Sequence, residues 1–146
     1  AQVREIPEGL WESVGQLASI SNWGLLAWNR VRHQILSERL LDFPRLQYDD
    51  AFQRDFTKAT VDERVDLQRT LSQVSALLTE HAGNVAALKQ HTGLQYDNYT
   101  NQYMDDGRPI GHIRLDRGRR ASCVTEPGGI LVLRRFGEHD QVNDNP

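Results

Sequence analysis

The chain has 146 residues, of which 38% are hydrophobic and 25% charged, and this composition predicts one globular domain. Its single cysteine, Cys123, excludes an intramolecular disulfide, and no apolar run approaches the ~18 residues of a membrane span. No apolar signal segment precedes Leu10. We therefore expect a cytoplasmic protein with no membrane partner.

Positive charge is concentrated towards the C-terminus. Between Arg108 and Asp140 the chain has seven arginines and four acidic residues, although its net charge is −3. The net charge excludes a uniformly basic coat protein for nucleic acid, whereas the basic window indicates a local anion-binding surface. Genome composition is the other explanation of the arginine bias, since only Lys58 and Lys89 are lysines.

The first 43 residues have the apolar spacing of two helices. One helix is predicted over Pro7–Leu17, and a second begins at Ser21 or Asn22, runs to about Leu41 and stops before Pro44. A short helical hairpin is unstable alone, so its apolar surface must be buried. We expect it to dock on the rest of the chain in cis; the alternative is a homodimer or a partner held through these helices. The hairpin contains the three tryptophans of the chain, Trp11, Trp23 and Trp28.

The middle of the chain contains the clearest helix. Leu46–Lys58 before it is either a strand followed by a helical turn or one short helix, because periodicity cannot decide at this length. The stretch Thr60-Val61-Asp62-Glu63 is a capping box, and the apolar stripe after it predicts a helix that ends at Gly83 or Asn84. A further short turn of helix follows, up to His91.

A polar stretch, Thr92–Asp106, connects the helices to the strands and contains Tyr96, Tyr99 and Tyr103. These tyrosines either stack on bases of a nucleic acid or cover the edge of a sheet. We favour the second interpretation, in which the stretch is a connection.

From Arg108 onwards the apolar period changes to two, which is typical of strands. Two turn signals, Asp116-Arg117-Gly118 and Pro127-Gly128-Gly129, separate three runs that form an antiparallel meander. The third run, Ile130–Asp140, is buried at first and ends at an edge, and Gln141–Pro146 reads as a frayed tail.

This order of elements, ending in Gly137-Glu138-His139-Asp140, resembles the RelE/ParE superfamily of bacterial toxins. Ile113–Ala121 is similar to the family's arginine-bearing strand and the dipeptide that follows it, and Ile130–Phe136 resembles its apolar strand. The resemblance covers about Leu46 to Asn143. It implies an α+β fold in which N-terminal helices pack on a small antiparallel sheet.

The resemblance also divides the chain into an N-terminal helical extension, residues 1–43, and a RelE/ParE-like domain, residues 44–146. Two positions depart from the family pattern, because Arg119 and Asn143 stand where the family commonly has tyrosines. The terminal tyrosine often contributes to catalysis in the ribonuclease members, so Asn143 favours a binding protein over an enzyme.

The resemblance implies a metal-independent endoribonuclease that cleaves mRNA at the ribosome. Such an enzyme needs no cofactor, and an antitoxin protein neutralises it. A non-catalytic binding module, either a gyrase inhibitor or a domain that binds RNA or protein, is the alternative. The catalytic residues would be His139 as acid or base, with Arg114 and Arg120 holding the phosphate. Further RNA contacts would come from Arg117, Arg119, Arg134 and Arg135.

Each of these roles has a simpler alternative. For His139, at the end of a strand, the simpler interpretation is an ordinary surface histidine. For the arginines, it is a solvated sheet face with salt bridges to Asp116 or Glu126. Because adjacent strand residues face opposite ways, only one arginine of each Arg-Arg pair is expected on the phosphate-binding face.

Overall fold

Helices form the first half of the described chain and a sheet forms most of the second. The computed structural model describes residues 22–116 and 118–146, with side chains from residue 26 onwards. The elements are α1 Asn22–Glu38, β1 Leu46–Tyr48, α2 Asp50–Lys58, α3 Val61–Glu80, α4 Ala86–Gln90, β2 Asp97–Tyr103, β3 Pro109–Arg114, β4 Arg119–Glu126, β5 Ile130–Glu138 and α5 His139–Asp144.

The helices agree with the sequence prediction in most places. The ambiguous stretch is a strand followed by a helix, β1 and α2. Thr60 is the N-cap of α3, and its side-chain oxygen accepts a hydrogen bond of 3.2 Å from the backbone N–H of Glu63. The helix predicted over Pro7–Leu17 lies outside the described residues.

Two predictions about the C-terminal half are wrong. The polar connection contains strand β2, which sequence patterning missed because its seven residues lack apolar alternation and most are exposed. The tail predicted to fray contains α5, and Val142 of that helix is only 3% exposed. Burial of this one apolar residue against the sheet holds the last turn of the chain in place.

The five strands form one mixed sheet in the order β1-β5-β4-β3-β2. Strands β3, β4 and β5 form the antiparallel meander that the turn signals predict, and β2 adds a fourth antiparallel strand to it. The sheet is not entirely antiparallel, because β1 pairs with β5 in parallel, Leu46 opposite Leu131. A parallel neighbour needs a long crossover, and the whole stretch from α2 to β4 provides it.

The two faces of the sheet have different surroundings. One face packs against α3, and the main core contains sheet residues such as Ile113, Ala121 and Leu133 together with Leu71 and Leu78 of the helix. We call the opposite side the open face; its small apolar cluster consists of Ile110, Val124 and Val132, with Tyr99 and Met104 packed against it. Alternation along β3 and β4 therefore decides which polar side chains reach the open face.

The end of the predicted extension, residues 36–43, packs into the core of the rest of the chain; the first predicted helix lies outside the described residues. Leu36, Leu41 and Phe43 belong to the same core as the sheet. Buried Gln68 of α3 holds this segment through three hydrogen bonds: its amide nitrogen donates to the carbonyls of Leu36 (2.8 Å) and Arg39 (2.7 Å), and its oxygen accepts from the backbone N–H of Leu41 (2.8 Å). Residues 36–43 thus share one core with residues 44–146.

Within the described residues, none of the helices has the length and apolar character that crossing a bilayer requires.

Candidate functional site

Two arginines lie side by side at one end of the open face. Arg114 of β3 and Arg120 of β4 are directly opposite each other in the antiparallel register. Their neighbours Ile113 and Ala121, also a register pair, belong to the main core on the helix side. Because successive strand residues alternate, both guanidinium groups project from the open face.

Neither arginine is neutralised by a carboxylate of the described residues. Among the described residues, no carboxylate lies within 4.0 Å of either guanidinium group. Arg114 Nε donates only to the backbone carbonyl of Asp116, at 3.3 Å. Two half-buried cations without a counter-ion form a site that favours an anion.

His112 stands next to this pair on the same face. It lies two residues before Arg114 in β3 and opposite Ser122, the residue two places after Arg120. Burial lowers the pKa of His112, and the positive charges of Arg120 and His139 lower it further, while the carboxylate of Asp97 in β2 partly offsets them. His112 is therefore neutral at pH 7 and able to accept a proton.

Tyr99 of β2 packs against this histidine, with ring centroids 4.6 Å apart and an interplanar angle of 51°. Burial raises the pKa of Tyr99, whereas the nearby Arg120 guanidinium acts in the opposite direction. Its hydroxyl is buried and makes no well-formed hydrogen bond within the described part of the chain. Tyr99 thus fixes the orientation of the His112 ring from one side.

His139 approaches the same cluster from β5. It is the first residue of α5, and its backbone N–H donates to the carbonyl of Gly118 at 2.7 Å. Its side chain is 43% exposed, and Nδ1 lies 3.0 Å from Oδ1 of Asp140. An Nδ1–H bond to this carboxylate would leave Nε2 as the ring nitrogen that accepts a hydrogen bond or exchanges a proton.

Asn143, one turn further along α5, lies over His139. Its Nδ2 is 3.3 Å and 3.4 Å from the two ring nitrogens of the histidine. The side-chain amide of Gln102 in β2 donates to the backbone carbonyl of Asn143 at 3.1 Å. This contact ties α5 to the far edge of the sheet and limits the movement of His139.

Of the other predicted RNA-binding arginines, the three that the structure describes each contact an acidic residue. Arg119 pairs with Glu63 at 3.1 Å and with Asp116 at 2.9 Å, on the helix side of the sheet. Arg135 forms a two-pronged contact with Asp55, at 2.8 Å and 3.3 Å. Arg134 lies on the open face, 3.7 Å from Asp49. Arg117 lies outside the described residues.

The structure therefore brings three of the predicted site residues into one cluster, His139, Arg120 and Arg114, and separates Arg119 and Arg135 from it. It adds His112 and Tyr99, which the sequence interpretation did not select. A signal for His112 was present, since the period of two places it on the same face as Arg114. Tyr99 had no such signal, because the pairing of β2 was not predicted.

Comparisons of the chain with protein-family models, with curated proteins and with solved structures find no significant match. Within the described residues, no group of three or more His, Cys, Asp or Glu side chains is arranged to hold a metal ion. Cys123 is fully buried, and burial raises its pKa to about 12, so its thiol is not a nucleophile at neutral pH.

Proposed function

We propose that the chain is an endoribonuclease of the RelE/ParE kind that cleaves mRNA without a metal ion. The observation that carries the proposal is the convergence of His112, His139, Arg114 and Arg120 on the open face. Cleavage of RNA by its own 2′-hydroxyl needs a base, an acid and cations around the phosphate, and these four side chains supply all of them.

In the proposed reaction, neutral His112 removes the proton of the 2′-hydroxyl. The 2′-oxygen then attacks the neighbouring phosphorus, and the bond from phosphorus to the 5′-oxygen breaks. Protonated His139 gives its proton to the departing 5′-oxygen, so the products are a 2′,3′-cyclic phosphate and a 5′-hydroxyl. Arg114 and Arg120 stabilise the negative charge that accumulates on the phosphate oxygens.

The rest of the proposed setting follows from this chemistry and from the resemblance. The requirement for a 2′-hydroxyl makes RNA the substrate and DNA inert. The reaction would take place in the cytoplasm, at the ribosome, where mRNA is presented as a single strand. An acidic segment of an antitoxin would inhibit it by occupying the cationic pair.

A non-catalytic RelE/ParE-like binding module is the second candidate, and one contact favours it. The side chain of Asn143 covers the ring of His139, at the position where the family commonly has a tyrosine. In that case the same face binds RNA or a protein and cuts nothing.

Incubation of the purified protein with single-stranded RNA in EDTA tests the enzyme proposal. Wild-type protein should generate cyclic-phosphate ends, and His139→Ala or Arg120→Ala should lower the rate ~100-fold or more. His33→Ala and Arg69→Ala are matched controls, because both side chains are exposed on helices away from the sheet. Full activity in a folded His139→Ala/Arg120→Ala double variant would exclude both roles. Binding without any cleavage would favour the second candidate.

A further inference from the structure

A cavity of about 340 Å³ lies on the open face, at the opposite end of β3 from Arg114. Its apolar part consists of Ile110, which belongs to the small cluster of the open face, and Met104, which packs against that cluster. Its polar part is formed by Arg134 and by Asp105 and Asp106 in the turn between β2 and β3. Tyr103 completes the lining, and 61% of this large aromatic residue is exposed.

The turn that forms one wall is held rigidly. Arg108 contacts Asp106 at 2.8 Å and Glu126 at 2.9 Å, and it donates to the carbonyl of Thr125 at 3.0 Å. The backbone N–H of Met104 donates to the carbonyl of Arg108 at 2.8 Å. The cavity is therefore formed before any ligand arrives, which reduces the entropy lost on binding.

One polar group of the lining has bonding capacity to spare. The carboxylate of the exposed Asp105 makes no hydrogen bond or ion pair with any described residue, in contrast to Asp106, which pairs with Arg108. Both oxygens of Asp105 are therefore available to accept hydrogen bonds from a ligand.

The position of the cavity connects it to the proposed reaction. Ile110 and Arg114 are four residues apart on the same face of β3, a separation of about 13 Å along the strand. A polynucleotide whose phosphate lies on Arg114 and Arg120 therefore reaches the cavity about two nucleotides further along. The carboxylates of Asp105 and Asp106 disfavour a phosphate in the cavity itself, so a base is the part of the chain that fits.

We propose that this cavity binds an unstacked guanine of single-stranded RNA, about two nucleotides from the phosphate held by Arg114 and Arg120. The exposed ring of Tyr103 stacks on the base, as aromatic side chains do in single-strand recognition. Asp105 accepts hydrogen bonds from the two adjacent donors on the Watson–Crick edge of guanine. The other bases lack two adjacent donors on this edge, so the site selects guanine.

The inference rests on the proposed RNA-binding face. The test below distinguishes a failure of the guanine site from a failure of that face. Binding of the full chain to a labelled uridine octamer and to the same octamer with one central guanosine is measured by fluorescence anisotropy at low salt. The guanosine oligomer should bind on the order of 10-fold more tightly, the lower part of the range for one good base contact. Tyr103→Ala and Asp105→Asn should abolish this preference, while Tyr103→Phe, which keeps the ring, should retain it.

The other outcomes are equally informative. Equal affinity of the wild-type protein for the two oligomers would overturn the guanine site and leave the cavity to a protein partner. A guanosine preference that depends on Tyr103, without cleavage of any RNA, would support the guanine site and contradict the enzyme proposal. No binding to either oligomer would refute both. Asp62→Asn, an exposed carboxylate on α3, is the charge-matched control for Asp105→Asn.

Discussion

Arg114 and Arg120 face each other across neighbouring antiparallel strands, and both guanidinium groups lie on the open face of the sheet. Like charges directly opposite each other destabilise a sheet by about 0.2–1 kcal/mol. No carboxylate of the described residues offsets this repulsion, so an anion that lies on the pair would relieve it. The pair therefore has the character of a binding site maintained at the expense of stability.

Replacing one member of the pair should separate binding from stability. We expect Arg120→Thr to leave the melting temperature unchanged or to raise it slightly, because repulsion is relieved and threonine suits a strand. RNA affinity should fall, and the slope of log affinity against log salt concentration should decrease by about 1, as for the loss of one phosphate contact. Thermal melting curves measure the effect on stability, and salt titrations of RNA binding measure the effect on affinity. A lower melting temperature with unchanged RNA affinity would mean that Arg120 is structural.

The folded protein should become less stable in mild acid because of His112. Its pKa in the folded protein is lowered, chiefly by burial and then by Arg120, so folding favours the neutral ring. Between the folded value and the unfolded value of about 6.5 the unfolded chain binds more protons. The stabilisation is therefore fully present above pH 6.5 and is lost as the pH falls through the folded pKa.

Urea unfolding of wild-type protein and His112→Gln between pH 5 and pH 8 measures this effect, with His33→Gln as the exposed control. The wild-type protein should lose stability on the acid side relative to His112→Gln, whereas His33→Gln should follow the wild type. If His112 is the base, the cleavage rate should also fall on the acid side, at an apparent pKa below that of free histidine. Identical pH profiles for all three proteins would remove the basis for a neutral His112.

The sequence predicted the antiparallel meander of β3, β4 and β5 correctly, but it did not predict how β1 and β2 pair with that meander. The turn at Pro127-Gly128-Gly129 and the period of two identify β3, β4 and β5 because both signals are local. The pairing of β1 with β5 joins Leu46 to Leu131, and no local pattern reports such a distant contact. The same limit applies to the site. Arg114 and Arg120 were found from a resemblance, whereas the approach of Tyr99 to His112 depends on how β2 pairs with β3.

Gln68 should be essential for holding the end of α1 against the rest of the chain. Gln68→Leu keeps the volume but leaves two carbonyls and the backbone N–H of Leu41 without their partners. Each buried group left unsatisfied costs about 1–3 kcal/mol, so we expect a loss of at least about 2 kcal/mol in the free energy of unfolding. Gln73→Leu is the control, because this exposed residue of α3 makes one contact, to His91. Equal losses in the two variants would show that the buried bonds of Gln68 are not what matters.

The last prediction concerns two glycines that bring the end of α3 against the turn between β4 and β5. A methyl group on Gly129 would lie 2.6 Å from the Cα of Gly83, which is closer than real contacts allow, and the φ of Gly129 is 75°. Gly128, its neighbour in the same turn, also has a positive φ of 86° but has open space around it. The two alanine variants therefore separate backbone strain from steric contact.

Gly128→Ala should cost about 1 kcal/mol from strain alone. Gly129→Ala should cost about 1–3 kcal/mol more, because the turn and helix must move apart. Urea unfolding of the two variants measures the difference. Equal destabilisation would show that the turn moves away freely and that the close approach of Gly83 and Gly129 does not constrain the fold.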